Sequence, residues 1–266
     1  MSTQVRAVVP AKALQEAKSR LGREDLTLAF LTDVLGALKS SHLIISVTVV
    51  TSDPKIESLA RELGCHIAPE DGVGGLGAAI EKGIDDCINL DIENDEIDHR
   101  ILVVLGDLPC LRAGQIEKFV ELSSPFDCAF LPDTEGIGST MWIRNPQSRA
   151  TPKFGFRSRA AHRESGAHEI FDSSLVGARR DVDTDIDLWD AVRIGVGSAT
   201  KLALDQGNKK PDLKPTLVTI SGLAPLTVVN ESGEQINVEL SPASALIKPR
   251  IGQRVILLQD SFVIEQ

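Results

Sequence analysis

Three aspartates stand where predicted strands give way to loops or helices, and their side chains could bind a metal ion. Asp107 follows the aliphatic run Ile101–Leu105, whose composition is typical of a buried strand in a parallel sheet. Asp181 and Asp183 alternate along the chain, so both carboxylates point to one side of an extended segment. Because ligands of open α/β sheets bind beyond the carboxyl ends of the strands, we expect these carboxylates to converge on Mg²⁺, which prefers oxygen ligands.

The same aspartates allow a simpler interpretation, which the sequence leaves open. Asp107 could cap the turn or helix that follows it, because aspartate is a common N-cap residue. Asp181 and Asp183 could belong to a solvated acidic helix start that the helix dipole stabilises. We interpret Asp185 and Asp187 in that second way.

Basic residues and glycines follow two other predicted strands and could hold phosphate groups. Lys12, Lys18 and Arg20 come after the first strand, and their cations could bind a triphosphate by charge, since the chain has no P-loop pattern. The Gly72–Gly77 loop matches G-x-G-x-x-G but lies on the third strand–helix unit, where it does not indicate a nicotinamide enzyme. Its backbone N–H groups could still approach a nucleotide closely. A solvated basic turn and a flexible surface turn are the competing interpretations.

Small polar residues near other strand ends could orient a carboxylate or a phosphate. Ser139 lies in a Gly-Ser-Thr run, and Gly155 and Ser158 lie close together further along the chain. His162 and His168 have no companion ligands in the sequence, and we interpret both as ordinary polar histidines. The expected site is therefore one that binds anions through hydroxyl groups and amides.

The elements that would position these residues alternate between strands and helices. Apolar residues recur with helical spacing over 26–38, and a capping box at Thr184 and Asp187 starts a late helix. Strands are predicted at 5–9, 43–50, 66–68, 101–105, 127–131, 136–143 and 175–179, and helices at 26–38, 54–63, 78–89, 113–122, 154–162 and 185–194. The acidic stretch 91–98 is predicted to be a solvated loop. This alternation predicts an α/β fold with a mostly parallel, doubly wound sheet.

The composition changes near residue 206 and predicts a second, smaller domain. Residues 1–205 would form the main domain, and the polar, proline-containing stretch 206–215 a linker. Short β-rich runs over 216–266 predict a small β-barrel or sandwich, with a hairpin turn at Glu231–Glu234. Its role is open, and an oligomerisation module and hence a homodimer are among the possibilities.

Charge and composition narrow the classes of partner. The formal net charge of −10 argues against a nucleic-acid polymer, because backbone binding requires a basic surface. No apolar run has the length of a membrane span, and no signal pattern opens the chain, so we expect a cytoplasmic protein without a membrane partner. The four cysteines are dispersed, which favours free thiols over a zinc site or disulfides.

Residues 5–200 resemble the guanylyltransferases of coenzyme F-420 biosynthesis, which act on 2-phospho-L-lactate or phosphoenolpyruvate. The order and spacing of the matching pieces carry the resemblance, above all the Phe-Gly-x-x-Ser-x-x-x-His run. These pieces are Val9–Lys12, Ala17–Leu21, Gly106–Pro109, Gly138–Thr140, Phe154–Gly155 with Ser158 and His162, Ser165–Ala167 and Asp181–Thr184. The last fifty or so residues lie outside the resemblance.

The resemblance implies a fold like that of nucleoside-diphospho-sugar transferases, and it implies roles for particular residues. GTP would be held by Pro10, Lys12, Lys18, Arg20, Gly75 and Gly77, and two Mg²⁺ ions by Asp107, Asp181 and Asp183. A small phosphorylated three-carbon acid would present its carboxylate to Ser139, Gly155 and Ser158. The groups taking part in the transfer of GMP would be Asp107, Lys12 and Lys18.

One departure from the family pattern bears on the choice of nucleotide. The family usually has an asparagine where this chain has Gly77, which removes a side-chain hydrogen bond to the nucleotide. Three other functions therefore stay open: a nucleotidyltransferase with another nucleotide or acceptor such as 3-phosphoglycerate, a glycosyltransferase with a metal motif at Asp181–Asp183, and a non-catalytic nucleotide sensor. Pyrophosphate release, nucleoside diphosphate release and binding without turnover distinguish them.

Overall fold

The computed structural model describes residues 4–11, 24–69, 74–93, 99–206, 216–240, 249–258 and 262–265, and the chain divides into two compact units. The first unit, Met1–Lys210, contains a seven-stranded sheet in the order β3-β2-β1-β4-β6-β5-β7. Its strands are β1 Val5–Pro10, β2 Ile44–Thr51, β3 His66–Pro69, β4 Arg100–Val104, β5 Cys128–Pro132, β6 Ser139–Arg144 and β7 His168–Glu169. Only β6 pairs antiparallel with its neighbours, so the predicted mostly parallel sheet is confirmed.

Helices cover both faces of this sheet, as expected for a doubly wound fold. They are α1 Glu24–Ser40, α2 Pro54–Glu62, α3 Gly75–Glu93, α4 Ala113–Leu122, α5 Ser158–Glu164, α6 Asp185–Ile194 and α7 Ser198–Gln206. Alternate residues of β1 belong to different cores: Val5 and Val9 pack with α1, whereas Val8 packs with α3. A Cβ at Gly83 of α3 would overlap the side chain of Val8, so that helix lies directly on the sheet.

The strand order reverses between β1 and β4, and this determines where loops gather. The chain leaves β1 toward β2 and β3 on one side, then crosses to β4 on the other side. Adjacent strand ends at such a reversal form the crevice in which doubly wound folds bind ligands. Because β6 runs in the opposite direction, its first residue, Ser139, lies at the edge where β4 ends, and Leu105 there donates its N–H to the Thr140 carbonyl at 3.1 Å.

Two predictions about the secondary structure of this unit are wrong. Residues 175–179 are not a strand but lie in two short 3-10 turns, because Gly177 packs against the Cys110 carbonyl and the Thr140 hydroxyl binds the Ala178 carbonyl at 2.8 Å. The predicted solvated loop 91–98 begins inside α3, where Asp91 is buried and paired with Arg6; residues 94–98 lie outside the described residues.

Helix α7 was not predicted from the sequence, because a distant side chain caps its start. Asp33 of α1 accepts the N–H groups of Ala199 and Thr200 at 3.0 and 2.9 Å. Of the predicted linker 206–215, Gln206 ends this helix and the remainder lies outside the described residues. Among the described helices, none has both the length and the apolar composition needed to cross a bilayer.

The second unit, Pro211–Gln266, contains a six-stranded sheet in the order β10-β9-β8-β12-β13-β11. Its strands are β8 Thr216–Leu223, β9 Leu226–Val229, β10 Gln235–Asn237, β11 Glu239–Leu240, β12 Arg254–Leu258 and β13 Phe262–Glu265. All pairs are antiparallel except β11 with β13. The predicted hairpin turn is present between β9 and β10, where Asn230 Oδ1 accepts the N–H of Glu234 at 2.9 Å. Valine, isoleucine and leucine side chains form the core of this unit.

Candidate active site

Asp107 lies three residues beyond β4, at the edge where the strand order reverses. A Cβ at the preceding Gly106 would lie 3.9 Å from the carbonyl oxygen of Pro10, so the ends of β1 and β4 are close together. Asp107 is half-buried, and its Oδ1 atom is fully buried without a hydrogen-bond partner in the described part of the chain. An orphaned carboxylate oxygen is unfavourable in a folded protein, and an ion at a functional site is one explanation for it.

The segment with the other two aspartates is joined directly to Asp107. Val182 donates its N–H to the Asp107 carbonyl at 3.1 Å, and its side chain is buried against α1 and α6. Asp181 and Asp183 therefore lie on either side of a residue that is held against Asp107. Their carboxylates are close enough to that of Asp107 to interact with it by charge. Burial, followed by the charge of Asp183, raises the pKa of Asp107 to about 7. Burial, followed by the charge of Asp107, raises the pKa of Asp181 well above its usual value.

Carboxylates are suitable ligands for a divalent cation, but those described here do not form a complete coordination shell. Like charges that raise one another's pKa values are stabilised by a bound cation. In the described ranges, however, no three acidic, histidine or cysteine side chains are already arranged around one ion position. Mg²⁺ commonly takes one or two carboxylates and completes its shell with water and substrate phosphates, which is compatible with this arrangement.

A second group of polar side chains lies beside this edge, on β6 and α5. Ser139 Oγ is 2.8 Å from Ser158 Oγ and 3.0 Å from His162 Nδ1, and these three residues are buried. His162 Nε2 in turn accepts the backbone N–H of Lys153 at 2.7 Å. Gly155, with a φ of 122°, accepts the N–H of Ser158 at 3.1 Å and leaves its own position exposed. The predicted acceptor residues are thus neighbours in space.

The interpretation of His162 as an ordinary polar histidine is wrong. Its ring is completely buried, and it lies between Phe130 and Phe154 with ring centroids at 5.1 and 5.2 Å. Burial, followed by the positive charge of Lys153, lowers its pKa to about 4, so the ring is neutral near pH 7. The spacing of Ser158 and His162, four residues apart on a helix, is the signal that could have linked them.

The loop between β5 and β6 has a structural carboxylate that sequence reasoning missed. Asp133 is buried and accepts the N–H groups of Ile137 at 3.0 Å and Gly138 at 2.6 Å. A Cβ at Gly138 would overlap the Asp133 carboxylate, so only glycine fits there. This turn fixes the start of β6 and thereby the position of Ser139.

The interpretation of Asp187 as a solvated residue is also wrong. The predicted capping box is present, but Asp187 is buried and accepts hydrogen bonds from the N–H and hydroxyl of Thr184 at 2.9 and 2.7 Å. Arg180, which is also buried, lies 3.4 Å from Asp187 and 2.6 Å from Asp190. These contacts hold the chain on both sides of Asp181–Asp183.

The predicted nucleotide residues are only partly described. Pro10 is buried at the end of β1, next to Ala11, whose N–H binds the Val50 carbonyl at 2.9 Å. Gly75 and Gly77 lie in the first turn of α3, and Gly75 has a φ of 68° that favours glycine. Lys12, Lys18, Arg20 and the start of the glycine loop lie outside the described residues.

Comparisons of the sequence with known proteins identify its family. A family model described as "Guanylyl transferase CofC like" matches residues 5–206. A phosphoenolpyruvate guanylyltransferase of Streptomyces avermitilis is 37% identical over 203 residues, covering 74% of this chain and 92% of that protein. Phosphoenolpyruvate guanylyltransferase 2 of Rhodococcus jostii is 36% identical over 220 residues, covering 78% and 93%.

Solved structures support the fold. The crystal structure of a nucleotide-diphospho-sugar transferase homologue from Desulfovibrio desulfuricans matches with a TM-score of 0.58 at 18% identity, covering 78% of this chain and 96% of that one. The fold that the sequence resemblance implied is therefore present. The family match spans most of the first unit, including Asp107, Ser139, Ser158 and Asp181–Asp183. The chain belongs to the family of CofC-like guanylyl transferases.

Proposed function

We propose that this protein transfers GMP from GTP to phosphoenolpyruvate or 2-phospho-L-lactate and releases pyrophosphate, a step of coenzyme F-420 biosynthesis. The observation that carries the proposal is the buried Oδ1 of Asp107, which has no hydrogen-bond partner among the described residues. It lies at the edge of the sheet where the strand order reverses, close to Asp181 and Asp183. The named relatives, which are phosphoenolpyruvate guanylyltransferases, support phosphoenolpyruvate as the first acceptor to test. Residues 1–205 would form the catalytic domain, and 216–266 a separate β domain.

Asp107, Asp181 and Asp183 would hold the metal, for which we propose two Mg²⁺ ions. Bound there, Mg²⁺ would neutralise the phosphates of both substrates and favour departure of pyrophosphate. The protein's own contribution at this point is a fixed set of oxygen atoms, because the Val182–Asp107 hydrogen bond ties the two ligand segments together. Lys12, Lys18 and Arg20 would add positive charge around the triphosphate of GTP, next to Pro10 and the turn at Gly75–Gly77.

The chemistry requires two anions to meet in line. A phosphate oxygen of the acceptor attacks the α-phosphorus of GTP, the bond from that phosphorus to the bridging oxygen breaks, and the electron pair leaves with pyrophosphate. The acceptor phosphate is already largely ionised at pH 7, so no general base is needed. The hydroxyl of Ser158 and the backbone at Gly155 would hold the acceptor carboxylate and fix its phosphate in line, an effect that can contribute several kcal/mol.

A product assay tests the proposal. The purified protein is incubated with Mg²⁺, each of GTP, ATP, CTP and UTP, and each of phosphoenolpyruvate, 2-phospho-L-lactate and 3-phosphoglycerate. We expect pyrophosphate and a product with the mass of the acceptor plus GMP. In a parallel assay with nucleotide-sugar donors, release of a nucleoside diphosphate without pyrophosphate would instead support a glycosyltransferase, and GTP binding without any product would support a nucleotide sensor.

Replacement of Ser158 by alanine should weaken the acceptor specifically. The variant loses one hydrogen bond to a charged group, worth about 1.5–3 kcal/mol, so we expect KM for the acceptor to rise about 10–100-fold. KM for GTP should stay within about 2-fold, because the lost hydroxyl is assigned to the acceptor. Steady-state kinetics with each substrate varied in turn measure both values. Ser124→Ala, at an exposed serine, is the control, and an equal rise in both KM values would contradict the assignment.

Replacement of Gly77 by asparagine should improve the use of GTP. A Cβ at Gly77 meets no other atom of the described chain within 4 Å, so the first side-chain atom of asparagine is accommodated. If it restores the hydrogen bond expected from the family pattern, KM for GTP should fall about 2–10-fold, the worth of one neutral hydrogen bond. Competition between GTP and ATP measures the gain in selectivity. Gly77→Ala is the matched control and should leave the ratio of GTP use to ATP use unchanged.

A further inference from the structure

The buried ring of His162 lies beneath the two hydroxyl groups that we assign to the acceptor. It packs between Phe130 and Phe154, and both of its nitrogens have hydrogen-bond partners. Nε2 is 2.7 Å from the backbone nitrogen of Lys153, and Nδ1 is 3.0 Å from Ser139 Oγ. The proposed transfer of GMP does not itself use this residue.

The identity of the two partners determines which nitrogen carries the proton. A backbone amide can only donate, so Nε2 must be an acceptor and has no hydrogen. The ring is neutral at pH 7, since burial and the charge of Lys153 lower its pKa to about 4. The single hydrogen of the neutral ring therefore lies on Nδ1, from which it is shared between Ser139 Oγ and the backbone carbonyl of Ser158.

This donation orients the hydroxyl pair. Ser139 Oγ accepts from His162, so its own hydrogen is free for Ser158 Oγ, which lies 2.8 Å away. Ser158 Oγ then accepts from Ser139, and its hydrogen is left over. Among the described residues, no further acceptor is recorded for that hydrogen. An anionic oxygen of a substrate would supply one.

We propose that His162 is a positioning residue: through the Lys153 amide and Ser139, it directs the Ser158 hydroxyl to donate toward the anionic group of the acceptor. The inference rests on the proposed function, because it takes Ser139 and Ser158 as the acceptor site. It makes the chain Lys153 N–H, His162, Ser139, Ser158 a one-way series of hydrogen bonds. Its direction favours an acceptor oxygen, such as that of a carboxylate, over a donor group at the acceptor position, since only an acceptor completes the series.

Two substitutions separate the two nitrogens of the ring. Asparagine has its amide nitrogen near the position of Nδ1, so His162→Asn keeps a donor to Ser139. Glutamine extends to the position of Nε2, so His162→Gln keeps an acceptor for Lys153 but has no donor at Ser139. We expect KM for the acceptor to rise about 10–100-fold in His162→Gln, as for loss of a hydrogen bond to a charged group, and to stay within about 3-fold in His162→Asn. KM for GTP should not change in either variant.

A measurement on the wild-type protein tests the tautomer without any substrate. With ¹⁵N-labelled histidine, long-range ¹H–¹⁵N correlation spectra report which ring nitrogen carries the proton, and His162→Asn identifies the signal by its loss. A proton on Nδ1 together with the Asn–Gln difference in acceptor KM supports the inference. A proton on Nε2, or equal acceptor KM values in the two variants, overturns it. If the wild-type protein transfers GMP to no phosphorylated acid, the proposed function itself fails and the positioning role fails with it, whatever the tautomer.

Discussion

Asp107→Asn is expected to abolish nucleotidyl transfer while leaving the fold intact. The amide keeps the volume of the side chain but replaces a carboxylate oxygen by an N–H₂ group, which cannot bind a divalent cation. The Oδ1 atom has no hydrogen-bond partner among the described residues, so the substitution breaks no hydrogen bond of the fold at this atom. Loss of several kcal/mol of transition-state stabilisation corresponds to a fall in kcat/KM of about 10³-fold or more. Mg²⁺-dependent pyrophosphate release measures it.

The same variant should be at least as stable as the wild type when no metal is bound. The folded pKa of Asp107 is about 7, whereas an unfolded aspartate has a pKa of about 3.9. Between these values the folded state binds more protons, so the wild-type protein loses stability as the pH rises from about 4 to about 7. The asparagine variant has no carboxyl group at this position, so it does not lose stability by this ionisation. Its melting temperature in EDTA, relative to the wild type, should therefore be higher at pH 8 than at pH 5.

A control at the opposite edge of the same sheet distinguishes the effect of losing one negative charge from the effect of losing a metal ligand. Asp127 is exposed and directly precedes β5, so Asp127→Asn removes one negative charge far from the strand ends that bear Asp107. It should leave kcat/KM unchanged. Near-normal turnover in Asp107→Asn, with Mg²⁺ present, would falsify the metal assignment.

Among the substitutions proposed here, Asp91→Ala is expected to produce the largest decrease in the free energy of unfolding. Asp91 Oδ1 lies 2.7 Å from Arg6 Nε and 2.8 Å from His99 Nδ1, and these three side chains are buried. Burial raises the pKa of Asp91, but hydrogen bonds from His99 and then Arg6 outweigh it and lower the pKa overall. Removing one partner of a buried ion pair costs about 3–5 kcal/mol, because the other charge stays buried. Urea denaturation at pH 7, followed by the fluorescence of Trp142 and Trp189, measures the free energy of unfolding.

Asp86→Ala is the matched control on the same helix. Asp86 pairs with Lys82 one turn away on an exposed face, and such pairs contribute only about 0.5 kcal/mol. Arg6 and His99 adjoin the starts of β1 and β4, at the edge opposite Asp107, so kcat/KM of the folded Asp91→Ala protein should equal that of the wild type. A stability loss equal to that of Asp86→Ala would mean that the buried cluster contributes nothing. The stabilisation by Asp91 should also fade as the pH falls below about 4, where an unfolded aspartate is protonated.

Asp91 and Asp187 explain why the acidic segments were misjudged. Both occur in runs rich in aspartate and glutamate, which usually face solvent. Both are nevertheless buried, because each forms an ion pair with a buried arginine. Arg6 is 85 residues from Asp91, so no local pattern connects them. The strand predicted at 175–179 failed for a similar reason: its carbonyls bind Thr134 and Thr140 instead of a neighbouring strand.

The sequence by itself determined the α/β class, the order of most strands and helices, and the strand ends where chemistry is expected. These features depend on short-range spacing: the aliphatic run before Asp107, the alternation of Asp181 and Asp183, and the periodicity of α1. The tertiary structure alone decided the reversed direction of β6, the cap of α7 by Asp33 and the burial of His162 beneath Ser139. Each of these depends on hydrogen bonds or packing between segments far apart in the chain, which only the folded protein brings together.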